Sequence, residues 1–213
     1  MNYSRFALGL VALSLTSSLL GQRPSGWRVR YDQANAVDST LFFETMAPGW
    51  HITTGPAAIL YDTAQHADQT YRFEAEIFLF PGGGLEGFGV FVGGHSLADE
   101  DQTYTYFLIR KDGKFLVKQR EGQTATVLVP WSDHASIVKH LGGNGTAMNV
   151  VAVVVGSDSV RFVANREVVA KLPRSVAQPD GIAGLRVNHA LNLHVSKLAL
   201  VATGMSAIFG RHL

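Results

Sequence analysis

The sequence predicts an all-β protein, a sandwich of two antiparallel sheets, on three observations. About a dozen short runs alternate apolar with polar residues, the period of a half-buried antiparallel strand. Turn residues separate these runs at near-regular intervals, as a two-sheet sandwich requires. Glycine is abundant (22 residues) while charged residues make up only 16%, a composition for tight turns rather than for a helical bundle or a disordered chain.

Residues 1–22 read as an export signal helix. Arg5 supplies the positive start, residues 6–15 the apolar run, and Thr16-Ser17-Ser18 breaks it before the small Gly21. The run is shorter than the ~20 residues of a membrane span. Cleavage near Gly21 would leave a secreted or periplasmic bacterial protein with no membrane contact; an uncleaved anchor is the competing reading. There is no cysteine, so no disulfide or lipidated cysteine contributes, and core burial alone must hold the domain. That domain is residues 23–203, with residues 204–213 as a tail. Eighteen Lys and Arg against 17 Asp and Glu create no global field for nucleic acid or an anionic membrane.

The first strands fall at residues 27–31 (WRVRY), 40–45 (TLFFET), 50–52, 57–61 and 71–80. In the last of these Phe73, Ala75, Ile77 and Leu79 alternate with Arg72, Glu74 and Glu76. Residues 87–94 (GFGVFVGG) put Gly87, Gly89 and Gly93 on one face with Phe91, so something lies close against that surface, either a crossing loop or a ligand.

Next comes a hairpin, residues 103–121, turning at Lys111-Asp112-Gly113. A two-residue turn would set Lys118 among core residues. A three-residue turn with Gly113 in the left-handed region pairs Ile109 with Phe115 and Phe107 with Val117, and collects those four on one face. The other face carries Tyr104, Tyr106, Arg110, Lys118 and Arg120, with Leu108 and Leu116.

Residues 124–129 form a strand ending at Pro130-Trp131, and residues 132–141 a short helix capped by Ser132 or Asp133. A meander follows (148–155, 159–164, 167–172), with Asn165-Arg166 at its second turn, because Asn tolerates the left-handed conformation. Asp180-Gly181 opens a strand at 182–188, and 191–201 closes the domain. A bulge near Ser196-Lys197 would reconcile Leu193 and Val195 with Leu198 and Leu200, which have opposite parity.

From Trp131 to Leu200 the order of features resembles the concanavalin A-like lectin/glucanase jelly rolls. The likeness rests on Pro130-Trp131 after a strand, Asn149 opening MNVVAVVV, Val160, Phe162 and Asn165 spaced as V-x-F-x-x-N, and then DGIAGLRV. Within that superfamily the chain is most similar to bacterial secreted domains of the 3-keto-disaccharide hydrolase type, over roughly residues 27–201. The resemblance implies two curved sheets in a jelly roll and a ligand on the concave face. The alternating acids of the endoglucanase branch are missing. So are the Asn-Ser-Gly and following Arg that the keto-disaccharide group often carries.

Several constellations bear chemistry. Glu74 and Glu76 share a strand face about 7 Å apart, a spacing compatible with a glycosidase pair and equally with a solvated face. Asn188, Asn192, His189 and His194 cluster at a turn, where they suit hydrogen bonds to sugar hydroxyls or plain turn polarity. Two histidines without a third ligand are a weak metal signal. Tyr104, Tyr106, Arg110, Lys118 and Arg120 can stack on and hydrogen-bond a glycan; an exposed sheet face is the equal alternative. Their charge favours an acidic or uronate-bearing glycan. Trp27, Trp50 and Trp131 read as caps on the sandwich core. No cofactor or metal motif is present, although many jelly rolls bind calcium through carbonyls that leave none.

The leading expectation is a secreted, non-catalytic glycan-binding module using Tyr104, Tyr106, Arg110, Lys118, Arg120, Asn188 and His194. The second is a hydrolase or lyase acting on a (keto-)disaccharide or other glycan, with Glu74, Glu76 and His194 as candidate catalytic groups. The third is a structural module of the cell envelope. Fold alone does not choose among them.

Overall fold

The computed structural model describes residues 23–33, 35–36, 40–82 and 84–203. The expected signal segment and tail lie outside the described residues. Among the described residues fourteen strands and one short helix follow in order. They are β1 (Trp27–Tyr31), β2 (Phe42–Thr45), β3 (Trp50–Thr53), β4 (Ala58–Ala67), β5 (Tyr71–Leu79), β6 (Gly87–His95) and β7 (Thr103–Arg110). Then come β8 (Lys114–Glu121), β9 (Thr124–Asp133), β10 (Ala147–Val155), β11 (Ser159–Ala164), β12 (Glu167–Pro173), α1 (Arg174–Ala177), β13 (Gly181–Val187) and β14 (Asn192–Ala202).

These strands build two seven-stranded antiparallel sheets. Sheet I runs β1-β4-β13-β6-β7-β8-β9 and sheet II runs β12-β11-β10-β5-β14-β3-β2. In β5 the alternation holds throughout, with Tyr71, Phe73, Ala75, Ile77 and Leu79 buried and the residues between them half-buried. The hairpin β7–β8 adopts the three-residue register, pairing Ile109 with Phe115, Phe107 with Val117, Tyr106 with Lys118 and Tyr104 with Arg120. Gly113 has φ +87°, and its amide donates to the Arg110 carbonyl at 3.0 Å. Phe107 thereby meets Phe162 of sheet II with ring centroids 5.5 Å apart. Each such ring, fully buried, contributes about 1.5–3 kcal/mol.

The expected bulge in β14 is present, as a register shift against β5 between Val195 and Lys197. It brings Leu193 and Val195, then Leu198 and Leu200, against the same core. Asn165 and Arg166 both have positive φ, 49° and 76°, so the second meander turn is left-handed as expected. The glycine face of β6 is explained by the chain itself. A Cβ on Gly93 would stand 2.0 Å from the Gln178 carbonyl oxygen, and one on Gly87 would stand 3.1 Å from the Trp131 ring.

The helix expected at residues 132–141 is absent. Strand β9 continues through Pro130 to Asp133, which an edge strand tolerates because its outer amides need no partner. The following loop is held by side-chain amides that replace helical hydrogen bonds. The Val138 amide donates to Asn149 Oδ1 at 2.8 Å, and Asn149 Nδ2 donates to the Val138 carbonyl at 3.0 Å. Asn165 Nδ2 donates to the Ser136 carbonyl at 2.6 Å and to Asn149 Oδ1 at 2.7 Å. A four-residue helix, α1, forms instead before β13.

Asn149 is 1% exposed, so truncating it strands buried backbone groups. Asn149→Ala should lose about 2 kcal/mol in urea unfolding. The double variant with Asn165→Ala should lose less than the sum of the singles, because the two amides share a bond. An additive pair would show that the asparagines act separately.

Candidate functional site

Strand alternation fixes which side chains look out from sheet I. Tyr104, Tyr106 and Leu108 of β7 face away from the core shared by Phe107 and Ile109. Across the sheet Tyr106 lies opposite Phe91 of β6, and Phe91 opposite Gly184 of β13. Arg186 lies opposite Gly89, where no side chain competes for the space above the sheet. The outward apolar groups form a second cluster: Ile59, Tyr61, Phe91, Leu97, Tyr104, Tyr106, Leu108 and Leu116, with Trp131 and Ile182 against it.

This face differs from the exposed surface that the sequence leaves open. Tyr104 is 2% and Tyr106 6% exposed. Leu97, from the loop after β6, folds back into the cluster, and the Arg186 guanidinium sits 5.4 Å from the Tyr106 ring centroid. Burial pushes the Tyr104 hydroxyl up to about 12 and raises Tyr106 as well.

One carboxylate organises the charges. Arg186 Nη1 and Nη2 donate to Asp32 Oδ1 and Oδ2 at 2.5 and 2.6 Å, while its Nε is buried without a partner. Arg120 Nη1 stands 3.8 Å from the same Asp32 Oδ1. The rest of that guanidinium is committed, Nε donating to the Gly122 carbonyl at 2.7 Å and Nη2 to Gln123 Oε1 at 3.3 Å. Burial pushes the Asp32 carboxyl up, but the hydrogen bonds and charge of Arg186, helped by Arg120 and His189, outweigh it and hold the group below its ordinary value.

The Asp32–Arg120 approach also reveals curvature. The Asp32 amide donates to the Ala57 carbonyl, so its backbone still lies at the β1–β4 edge, whereas Arg120 is on β8, five strands away from β1. In a flat sheet five steps would separate them by about 24 Å, more than the two side chains span. The outer face of sheet I is therefore concave. Arg28 and Arg30 share it, since they pair with the outward Tyr61 and Ile59, and Arg30 Nη1 donates to the Ala98 carbonyl at 2.6 Å.

Of the sequence-derived candidates, Tyr104, Tyr106, Arg110, Lys118 and Arg120 come together on this face. Arg110 lies at one end, bidentate to Asp112 at 2.8 Å and stacked 4.5 Å over Trp131. Trp131 thus belongs to the outer face, while Trp27 and Trp50 pack on the core with ring centroids 5.2 Å apart. Asn188 follows β13 with the same outward parity as Arg186; its backbone amide donates to the Gly87 carbonyl, its carbonyl accepts from Thr54 Oγ1, and its side-chain Oδ1 is buried.

His194, Glu74 and Glu76 lie on the opposite side of the molecule, on the outer face of sheet II. His194 pairs directly across from His51 and beside the Phe78 ring at 6.2 Å. Burial and the His194 charge lower His51 below its ordinary value, against the opposing pull of Glu44 and Asn192. Glu74 is bound by Arg72, and Lys197 reaches it at 3.3 Å. Burial alone would raise its carboxyl, but these cations carry it below the usual range. Glu76 accepts from Ser196 Oγ at 2.5 Å. Among the described residues no group of three or more His, Asp or Glu is placed to hold a metal.

Asp32 and Arg186 were not among the sequence-derived candidates. The available signal was an arginine between Leu185 and Val187 in an apolar strand, and an acid directly after the alternating arginines of WRVRY. What their arrangement offers is a concave floor of aromatic rings bordered by planar guanidinium groups, which suits ring-shaped hydroxylated ligands.

Two stability measurements probe these charges. Asp32→Ala leaves Arg186 buried and unpaired and should cost about 2–3 kcal/mol, discounted for the partial exposure of Asp32. In the parent the contribution of Asp32 is complete above its unfolded value near 3.8 and is lost as pH falls through the lower folded value, so the variant's urea midpoint should lack that acid limb. His51 favours its neutral form in the fold, so stability should begin to fall as pH drops below 6.5. His51→Gln should remove that portion of the slope.

No protein-family model matches the sequence, and no curated protein matches it. Solved structures do resemble the fold. The carbohydrate binding module CBM66 from Bacillus subtilis superposes with a TM-score of 0.61 at 11% identity, covering 83% of this chain and 96% of that one. A Bacteroides ovatus mixed linkage glucan GH16 protein, in complex with its G4G4G3G product, gives 0.57 at 8% identity over 85% of this chain and 97% of its own. The laminarinase catalytic domain of Thermotoga maritima gives 0.56 at 8%, covering 86% and 93%. With its two stacked antiparallel sheets, the chain has the concanavalin A-like jelly-roll fold.

Proposed function

We propose that this protein is a secreted carbohydrate-binding module and that the concave face of sheet I is its binding surface. The observation that carries this reading is the convergence of Tyr106, Tyr104, Arg120 and Arg186 around the single Asp32 carboxylate on one concave face. Such a floor supplies ring contact and fixed donors together, which is what sugar recognition needs. The likeness to a carbohydrate binding module agrees with it at the level of fold.

A hydrolase reading draws less support from the geometry. A general acid needs a raised pKa, and Glu74 is shifted the other way by its cations. Glu74 and Glu76 also lie on the sheet opposite the concave face.

The test is a glycan array followed by amide NMR mapping with the best binder. Shifts should concentrate on Tyr106, Lys118, Arg120 and Arg186 and spare β5. Tyr106→Ala, checked for folding by its melting curve, should weaken binding about tenfold or more, and Glu74→Gln should leave it within about twofold. Shifts centred on β5 and β14, or no sugar bound at all, would overturn the proposal.

A further inference from the structure

The concave floor carries more positive charge than its acids neutralise. Arg120 and Arg186 are 8% and 5% exposed, and one carboxylate, Asp32, lies between them. Arg186 takes both of its oxygens. Arg120 Nη1, at 3.8 Å, is beyond hydrogen-bond reach. The desolvated group of three therefore keeps one excess positive charge, and a charge in such a setting demands a counter-charge.

Lys118 adds to the excess. It follows the same outward parity on β8, two residues from Arg120, so their backbones are about 7 Å apart. It is opposite Tyr106, and among the described residues no carboxylate lies within ion-pair distance of it. Acidic groups do occur at the rim: Asp99, Glu100, Asp101 and Glu121. All four are exposed, so water and salt screen them far more than the buried arginines.

We infer that the ligand is an anionic glycan bearing uronate carboxylates, and that one carboxylate is received between Arg120 Nη1 and the Lys118 ammonium, beside the Tyr106 ring. The inference rests on the binding-face reading above and assigns its ligand class. A carboxylate there completes the coordination that Asp32 leaves open on Arg120, and the exposed edge of the adjacent ring meets the sugar carbons.

The experiment is calorimetric titration of the purified protein with polygalacturonate oligomers, neutral laminarin oligomers and dextran sulfate. Uronate oligomers should bind at least about tenfold more tightly than laminarin oligomers, and the advantage should shrink as salt is raised. Lys118→Gln, at a half-buried position, should reduce the uronate affinity about tenfold and any laminarin affinity by much less. Arg120→Lys should retain more of it than Arg120→Gln. Lys171→Gln, on the far sheet, should change nothing.

Laminarin bound as tightly as uronate would overturn the ligand class and leave the binding face standing. Loss of binding to every oligomer would overturn both. Dextran sulfate bound equally well, with Lys171→Gln as damaging as Lys118→Gln, would show a general polyanion effect and overturn the assigned carboxylate position.

Discussion

The Asp32 carboxylate is the constraint on which the shape of the concave face depends. It stands at the end of the edge strand β1, yet it binds Arg186 on β13 and approaches Arg120 on β8. Two arginines taken out of water cost several kcal/mol each unless compensated. The sheet must bend far enough for one carboxylate to reach both, so curvature and charge pairing are parts of one solution. The glycines make the bend tolerable. Gly184 clears the space that the Phe91 ring occupies, since a Cβ there would meet that ring at 2.6 Å, and Gly89 admits the Phe107 carbonyl, which a Cβ would meet at 2.2 Å.

The two outer faces of the sandwich follow opposite electrostatic rules. On the β5–β14 pair of sheet II the acids have local partners: Glu74 with Arg72 and Lys197, Glu76 with Ser196. These contacts hold the strands β5 and β14 in register and leave little unspent attraction for a ligand. On sheet I the cations outnumber the acid that joins them, while buried polar atoms without a partner occur on both sheets, Arg186 Nε on sheet I and His51 Nδ1, His194 Nδ1 and Asn192 Oδ1 on sheet II.

Much of the fold was legible because its rules are local. The hairpin register followed from keeping Lys118 out of the core, and the β14 bulge from a change of parity at Ser196-Lys197. The helix at 132–141 was misread because its apparent cap signals compete with amides that arrive from β10 and β11, far along the chain. The site was legible only by half. Alternation placed Tyr104, Tyr106, Lys118 and Arg120 on one face, but their burial depends on Leu97 and Arg186 folding over them. Asp32 could not be joined to Arg186 because 154 residues separate the two, and only the strand order β1-β4-β13 makes them neighbours.

The burial of the tyrosines changes how the face must work. An exposed tyrosine would offer more area to a sugar but would lose rotamer freedom on binding, a loss of about 0.5–1.5 kcal/mol for each side chain immobilised. Tyr106 is already fixed by the Tyr104 ring, which itself packs on Phe91, and by the Arg186 guanidinium, so it contributes its edge with little further ordering. What it cannot supply is area, because most of the ring is already covered. Recognition on such a floor has to come from directed hydrogen bonds and charge, with the rings setting the level at which a ligand rests. Arg120 and Lys118, at the margin where burial gives way to solvent, are the groups positioned to provide them.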